Sequence, residues 1–252
     1  METLDLLLLA VWSFTVAIAG GIAGLVLGNL RLPVVVGLAS SPAAGAGSNV
    51  VISGISALAA SIAHWRAGRL DWRLLGWLAP TSLAGGVVGG LISGALPGRL
   101  LLGVIAIVVL YGAVEIARGP ARPAREAARS RGRAIVNAAL IGFGIGVLGG
   151  TVGLILGTLR LPALMRWVGT TAKDAVGTNS AAGVVVAIGG LIGHLPSGLD
   201  WALVLVGGAA SIPGALLGAR LVGRLSERDL LRAIAAVCVV AGLAMLAAAI
   251  AG

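Results

Sequence analysis

The sequence predicts an all-α polytopic integral membrane protein made of two inverted-topology repeats. Three observations carry that expectation: an extreme apolar composition, a long phrase written twice, and a one-sided distribution of basic residues. Of 252 residues, 58% are hydrophobic and 11% charged, and the mean hydropathy is +1.06. Soluble domains carry about 25% charged residues, so the solvent of this chain is a bilayer. The repeated phrase is GGIAGLVLGNLRLP at 20–33 and GGTVGLILGTLRLP at 149–162, identical at ten of fourteen positions. That is an internal duplication.

The elements follow from apolar runs long enough to cross about 30 Å of hydrocarbon as helix. Clear spans are Leu74–Leu96, Leu100–Ala117, Ala175–Leu195, Trp201–Ala219 and Leu230–Ile250, with a slightly short sixth from Ala46 to Ala63. Two further apolar regions, Leu4–Pro33 and Ala134–Pro162, contain the adjacent pairs Gly20-Gly21 and Gly149-Gly150. Two neighbouring glycines weaken a helix, so each region is expected to be broken or re-entrant. Three transmembrane helices follow each break. The first repeat is 1–117, an Arg-rich linker occupies 118–133, and the second repeat is 134–252. The start of the chain has Glu2 and Asp5 in place of a basic segment and no cleavage-site pattern, so it is expected to belong to the mature fold.

Charge sets the topology. The net charge is +9, and basic residues favour the cytoplasmic side of short loops. Six arginines (118, 122, 125, 129, 131 and 133) mark the linker as cytoplasmic. Four full spans in each half would divide the basic residues evenly across the membrane. If each Gly-Gly region makes no net crossing, or crosses twice, sixteen fall inside and two, Arg31 and Arg99, fall outside. The termini are then outside and the halves antiparallel, a plan used by many secondary transporters. Charge alone leaves hairpin and double crossing open. Arg31 and Arg160, just ahead of the duplicated prolines, are expected to snorkel to headgroups rather than to attract anions.

Non-helical backbone at membrane depth survives only where protein or a water-filled cavity satisfies it, so a duplicated break points to a binding site. Beside it stands a second duplicated element, Gly47-Ser48-Asn49 and Gly177-Thr178-Asn179, each read as a helix start. Helix capping is one role for it. The other is an anion site, in which free N–H groups and the positive helix end are joined by hydroxyl and amide donors. The expected substrate-binding set is therefore Gly20, Gly21, Gly47, Ser48, Asn49, Gly149, Gly150, Gly177, Thr178 and Asn179. The glycines spaced by four, Gly20, Gly24 and Gly28 with Gly149, Gly153 and Gly157, and later Gly86, Gly90, Gly94, Gly214 and Gly218, are expected to let helix backbones approach closely.

Ionisable groups within the spans are scarce. His64 and His194 match at the ends of corresponding spans, and Glu115 and Asp174 are the acids nearest the membrane region; these four are the candidates for ion coupling. Asp71 and Asp200 belong to a repeated Leu-Asp-Trp turn, where the aspartate caps and the tryptophan anchors at the interface. Gly144-x-Gly146-x-x-Gly149 is formally a dinucleotide fingerprint, but no strand precedes it and no acid follows at the expected distance. No HExxH motif occurs and no serine has a convincing base, so no enzyme activity, metal or cofactor is expected. Cys238, the single cysteine, excludes an internal disulfide and a cysteine metal cluster and reads as a small lipid-facing or packed side chain.

A glycine-broken first helix, a Leu-Pro a few residues on and a G-[ST]-N element, in two halves, resembles the TauE/SafE family of sulfite exporters and toluenesulfonate uptake permeases. Gly20–Pro33 with Gly47–Asn49, and Gly149–Pro162 with Ala175–Asn179, carry the resemblance, the second half more closely. It implies a plasma (inner) membrane transporter for sulfur oxyanions or organosulfur anions in bacteria or archaea. The expected function is secondary transport of a small sulfur-containing anion such as sulfite or an organosulfonate, by alternating access. Export is favoured because proton- or sodium-coupled anion uptake usually needs intramembrane acids. Alternatives are proton-coupled uptake of another organic anion, or a non-transporting membrane scaffold subunit. Partners are the anion and membrane lipids, not nucleic acid; a homo-oligomer stays open.

Overall fold

The computed structural model describes residues 3–25, 27–91, 98–118, 131–152, 155–194 and 198–251. Its regular elements are helical: α1 Thr3–Ala23, α2 Gly28–Leu38, α3 Pro42–Arg66, α4 Trp72–Leu91, α5 Gly98–Ala117, α6 Arg131–Val152, α7 Gly157–Ala163 with a π-turn at Leu164–Val168, α8 Ala172–His194, α9 Trp201–Val222 and α10 Glu227–Ala251. Among the described residues, five helices are long and apolar enough to cross a membrane, those within α1, α3, α8, α9 and α10. Outward faces carry large apolar side chains, including Leu7, Val11, Ile107, Leu140, Leu205 and Leu243. In water such a surface would drive aggregation; against lipid it is the ordinary exterior.

Four of the six expected spans are among these five, in α3, α8, α9 and α10, and the fifth is α1, expected to be broken. Helices α4 and α5 occupy the places of the other two expected spans, of which residues 92–96 lie outside the described residues. The glycine pairs behave differently from expectation: Gly20-Gly21 lies inside α1 and Gly149-Gly150 inside α6. The first break comes later, at Gly24, whose φ of 64° is the left-handed conformation that ends helices. There the N–H of Leu25 bonds the carbonyl of Gly20 at 2.9 Å. Gly21 instead packs backbone to backbone on Ala215 and Gly218 of α9. The tertiary contact explains why a helix-weakening pair stays helical.

Small residues set the packing. Gly214 meets the Phe14 carbonyl and Gly218 that of Ile18, so α9 and α1 lie parallel; Gly142 meets the Leu78 carbonyl and Gly146 that of Ser82, so α4 and α6 lie parallel too. Gly54 touches Ala187 and Gly190 touches Val50, which makes α3 and α8 antiparallel. Of the glycines expected to pack, Gly214 and Gly218 do so closely, whereas Gly86 faces only a distant Gly146 carbonyl. Gly94 and Gly153 lie outside the described residues.

Polar bonds fix the ends. Near the start of α3, the Ser48 hydroxyl accepts the N–H of Asp200 at 2.8 Å, ahead of α9. Near the start of α8, the Thr178 hydroxyl accepts the N–H of Asp71 at 3.0 Å, ahead of α4. Hence α1, α3 and α9 begin at one end of the bundle, and α4, α6 and α8 begin at the other. The pair α1–α2 enters from one end and returns toward it, with α1 itself long and apolar enough to cross a membrane. Arg69, Lys173 and the 220–232 basic stretch gather at the opposite end, where Arg69 donates to the Ala219 carbonyl at 2.9 Å.

Candidate functional site

The G-[ST]-N elements are not helix starts. Ser41 caps α3, accepting the Ala44 N–H at 3.1 Å, and Thr171 stands ahead of α8, its hydroxyl accepting the Asp174 N–H at 3.2 Å and donating to the Asp174 carboxylate at 2.8 Å. Ser48-Asn49 and Thr178-Asn179 therefore sit more than a turn inside their helices, where backbone N–H groups are already spent in the helix ladder. A pocket of free amide N–H groups is not available there. Asp174 is a capping acid at the helix start, away from the middle of the bundle.

The two asparagines serve the breaks instead. Asn179 donates through Nδ2 to the carbonyl of Gly24 at 2.7 Å and to that of Gly157 at 3.2 Å. One side chain thus ties the first half's break to the second half's. Asn49 donates to the carbonyl of Gly28 at 3.0 Å. Each bond satisfies backbone that would otherwise be orphaned in a low-dielectric interior. Both asparagines are buried, as are Ser48 and Thr178.

Arg31 and Arg160 are not at the headgroups. They are 2% and 1% exposed, the largest fully buried side chains among the described residues. Each lies on the short helix that follows its break, α2 or α7, and these helices run within the fold against α3 and α8. Snorkelling fails because the side chain points at the asparagine ladder rather than outward. Arg31 donates from Nε to Asn49 Oδ1 at 3.0 Å, from Nη2 to Ser53 Oγ at 2.7 Å and to the Asn49 carbonyl at 3.4 Å, and from Nη1 to Ser211 Oγ at 3.4 Å. Among the described residues Arg160 donates from Nη1 to Asn179 Oδ1, at 3.5 Å, and its Nε has no partner. Among the described residues neither is paired with a carboxylate.

Of the other expected residues, Gly20 is buried beside the Leu25 carbonyl, and Gly177 lets the Arg69 carbonyl pass close to α8. Gly47 is buried in α3. The side chain of His194, that of Glu115 and the surroundings of Gly149 and Gly150 lie outside the described residues. His64 is fully buried; its Nε2 is 3.2 Å from the Gly21 carbonyl and its Nδ1 has no partner. Asp71 caps α4 through Oδ1, which accepts the N–H groups of Arg73 and Leu74 at 3.0 Å each. Asp200 makes no such side-chain bond. Trp72 and Trp201 are exposed, as an interfacial anchor requires. Cys238 is buried. Among the described residues no group of three or more His, Cys, Asp or Glu is placed to hold a metal.

The chain matches the Sulfite exporter TauE/SafE family over residues 9–245. It belongs to the TauE/SafE family. This TauE/SafE protein is accordingly a multi-pass membrane transporter and not an enzyme. No curated protein and no solved structure matches the chain.

Sequence reasoning passed over Arg31 and Arg160 as substrate contacts, and it did not single out Ser53 or Ser211. A signal was present: an arginine written at the same place in both copies of an otherwise uncharged phrase. A charge kept in both copies of an apolar, membrane-buried phrase has to be solvated by the fold. A groove of about 380 Å³ along α6, lined by Asn137, Leu140, Ile141, Gly144, Ile145, Leu148 and Trp167, contains no charged residue. An anion has no reason to enter it.

Proposed function

We propose that this TauE/SafE transporter exports a small sulfur-containing anion, such as sulfite or an organosulfonate, by alternating access between two antiparallel repeats, 1–117 and 134–252. The observation that carries the reading is a pair of buried guanidinium groups without carboxylate partners, one beside each break. An unpaired charge in a low-dielectric interior costs several kcal/mol, and an anionic substrate offsets that cost while it is bound. The starts of α1, α3 and α9 at one end and of α4, α6 and α8 at the other support the antiparallel arrangement. Asn179, bonded to both breaks, lies where two such halves would move against each other. Asn49 and Asn179 position the arginines. Ser48 and Thr178 latch the opposite ends of the bundle, and Gly24 lets the chain turn back in the first half.

Topology follows the same reading: linker cytoplasmic, both termini outside, in the plasma (inner) membrane. With Arg31 and Arg160 buried in the fold, they drop out of the loop count. The remaining basic residues divide fifteen inside to one, Arg99, outside, a sharper asymmetry for the positive-inside rule. An interior negative by about 100 mV drives each negative charge outward with about 2.3 kcal/mol. Voltage alone therefore supports export of a monoanion against a gradient of roughly fiftyfold.

Proteoliposomes loaded with sulfite and clamped at set potentials with potassium and valinomycin, without proton or sodium gradients, test this. Sulfite flux is expected to follow the voltage and to persist in Glu115→Gln, Asp174→Asn, His64→Gln and His194→Gln. A second reading, proton-coupled uptake, is favoured by one observation, the buried and unpartnered His64 Nδ1 beside Gly21. Flux that ignores voltage, needs an imposed proton gradient and disappears in His64→Gln replaces uniport with that mechanism.

A further inference from the structure

We infer that the two arginine stations are not equivalent: Arg160 is the anion-binding group, and Arg31 is a structural counterpart whose donors the protein has already used. This rests on the anion-transport reading above and assigns its binding site to one side chain. The duplication provides an internal control, because the same phrase places both arginines and matching asparagines support them. The difference lies in what surrounds each guanidinium.

At the first station, Ser53 of α3 takes the shortest bond to Arg31, 2.7 Å, and Ser211 of α9 takes another at 3.4 Å. In the second copy the residue that follows Asn179 by four, as Ser53 follows Asn49, is Gly183. The strongest partner is simply absent from the sequence. The counterpart of Ser211, 129 residues earlier in α4, is Ser82. Its hydroxyl is buried and has no hydrogen-bond partner. Among the described residues Arg160 makes one hydrogen bond, at 3.5 Å, and its Nε has no partner. Buried polar groups in folded proteins are almost always paired. A fully buried cation with its Nε unmatched, together with an unmatched hydroxyl at the position that serves the other arginine, is a site short of an acceptor.

The nature of the missing acceptor follows from the unmatched Nε of a buried cation. A sulfite, sulfonate or carboxylate group offers it an acceptor oxygen and neutralises the charge. The occupant is therefore a small oxyanion accepting from Arg160 Nε.

The test is oxyanion binding to the detergent-purified full chain by calorimetry, with sulfite, methanesulfonate and acetate as probes. Arg160→Gln is expected to weaken binding roughly tenfold or more, the loss typical of a hydrogen bond to a charged group. Gly183→Ser, which supplies the missing internal partner, is expected to weaken it comparably while circular dichroism and elution volume stay unchanged. Ser53→Gly is expected to leave affinity undiminished. Undiminished binding in Arg160→Gln overturns the inference. If that variant does not fold, Gly183→Ser decides, and undiminished binding there overturns it. Equal weakening by Ser53→Gly and Gly183→Ser overturns it as well. A wild-type protein that transports sulfite while any of these results holds keeps the transport reading and loses the asymmetry. Binding of acetate alone, lost in Arg160→Gln, keeps the asymmetry and removes the sulfur substrate. Binding of none of the three removes both.

Discussion

Arg31 and Arg160 occupy the same place in two copies of one phrase, yet among the described residues one guanidinium is enclosed by four protein acceptors and the other donates to a single amide oxygen. Both follow a break, both are buried, and both rest on an asparagine that bonds the backbone of the break. The substitution of glycine for serine one turn further along the supporting helix separates them. A buried charge that is fully hydrogen-bonded stiffens the fold, whereas one left open is solvated by whatever can reach it. Duplication thus supplies two arginines, and divergence of their neighbours gives them different work.

That difference predicts unequal damage on removal. Arg31→Gln leaves Asn49 Oδ1, Ser53 and Ser211 without their donor, so it is expected to lower unfolding stability by about 2–4 kcal/mol, since each orphaned buried group costs about 1–3 kcal/mol. Arg160→Gln removes one long bond and an uncompensated charge, and is expected to change stability by less than about 1 kcal/mol. Thermal or denaturant unfolding in one detergent checks both. Equal losses would show that the two stations are structurally alike and would break the comparison.

A smaller effect separates the pairs themselves. In double-mutant cycles, Arg31 with Asn49 is expected to couple by about 1–2 kcal/mol through the 3.0 Å bond. Arg160 with Asn179 should couple by no more than about 0.5 kcal/mol across 3.5 Å. Asn179→Ala alone still destabilises, because it orphans the carbonyls of Gly24 and Gly157. A strong Arg160–Asn179 coupling would place the second guanidinium among the fold's struts.

The smallest contrast is between serines. Ser53→Ala removes the 2.7 Å acceptor of Arg31 and is expected to cost about 1.5 kcal/mol or more, as for other bonds to charged groups. Ser82→Ala removes a hydroxyl that bonds nothing, and stability is expected to hold or rise slightly. The same unfolding measurement reads both, and a cost for Ser82→Ala comparable to that for Ser53→Ala would mean that Ser82 has a protein partner.

Much of the fold was legible because a bilayer makes local rules strict. Every spanning segment must satisfy its own backbone, so apolar length alone marks α3, α8, α9 and α10, and the Leu-Asp-Trp turns mark where α4 and α9 begin. The site was legible only as a neighbourhood. Asn49 and Asn179 were found from duplication, but their role as helix caps was misjudged. Ser41 and Thr171, a turn or more earlier, do that work. Gly20-Gly21 was expected to break α1 on intrinsic weakness; packing on α9 holds it helical, and Gly24 turns the chain instead.

By itself the sequence determined the solvent, the duplication and the family, because each is written in composition, periodicity or a repeated phrase. Tertiary structure alone decided that α1–α2 returns toward its own end, that Arg31 and Arg160 are buried, and that Ser53 and Ser211 meet Arg31 while Arg160 is left open. The physical reason is distance along the chain. A hydrogen bond between Arg31 and Ser211 joins residues 180 positions apart, and no local pattern encodes which donor will meet which acceptor once the helices pack.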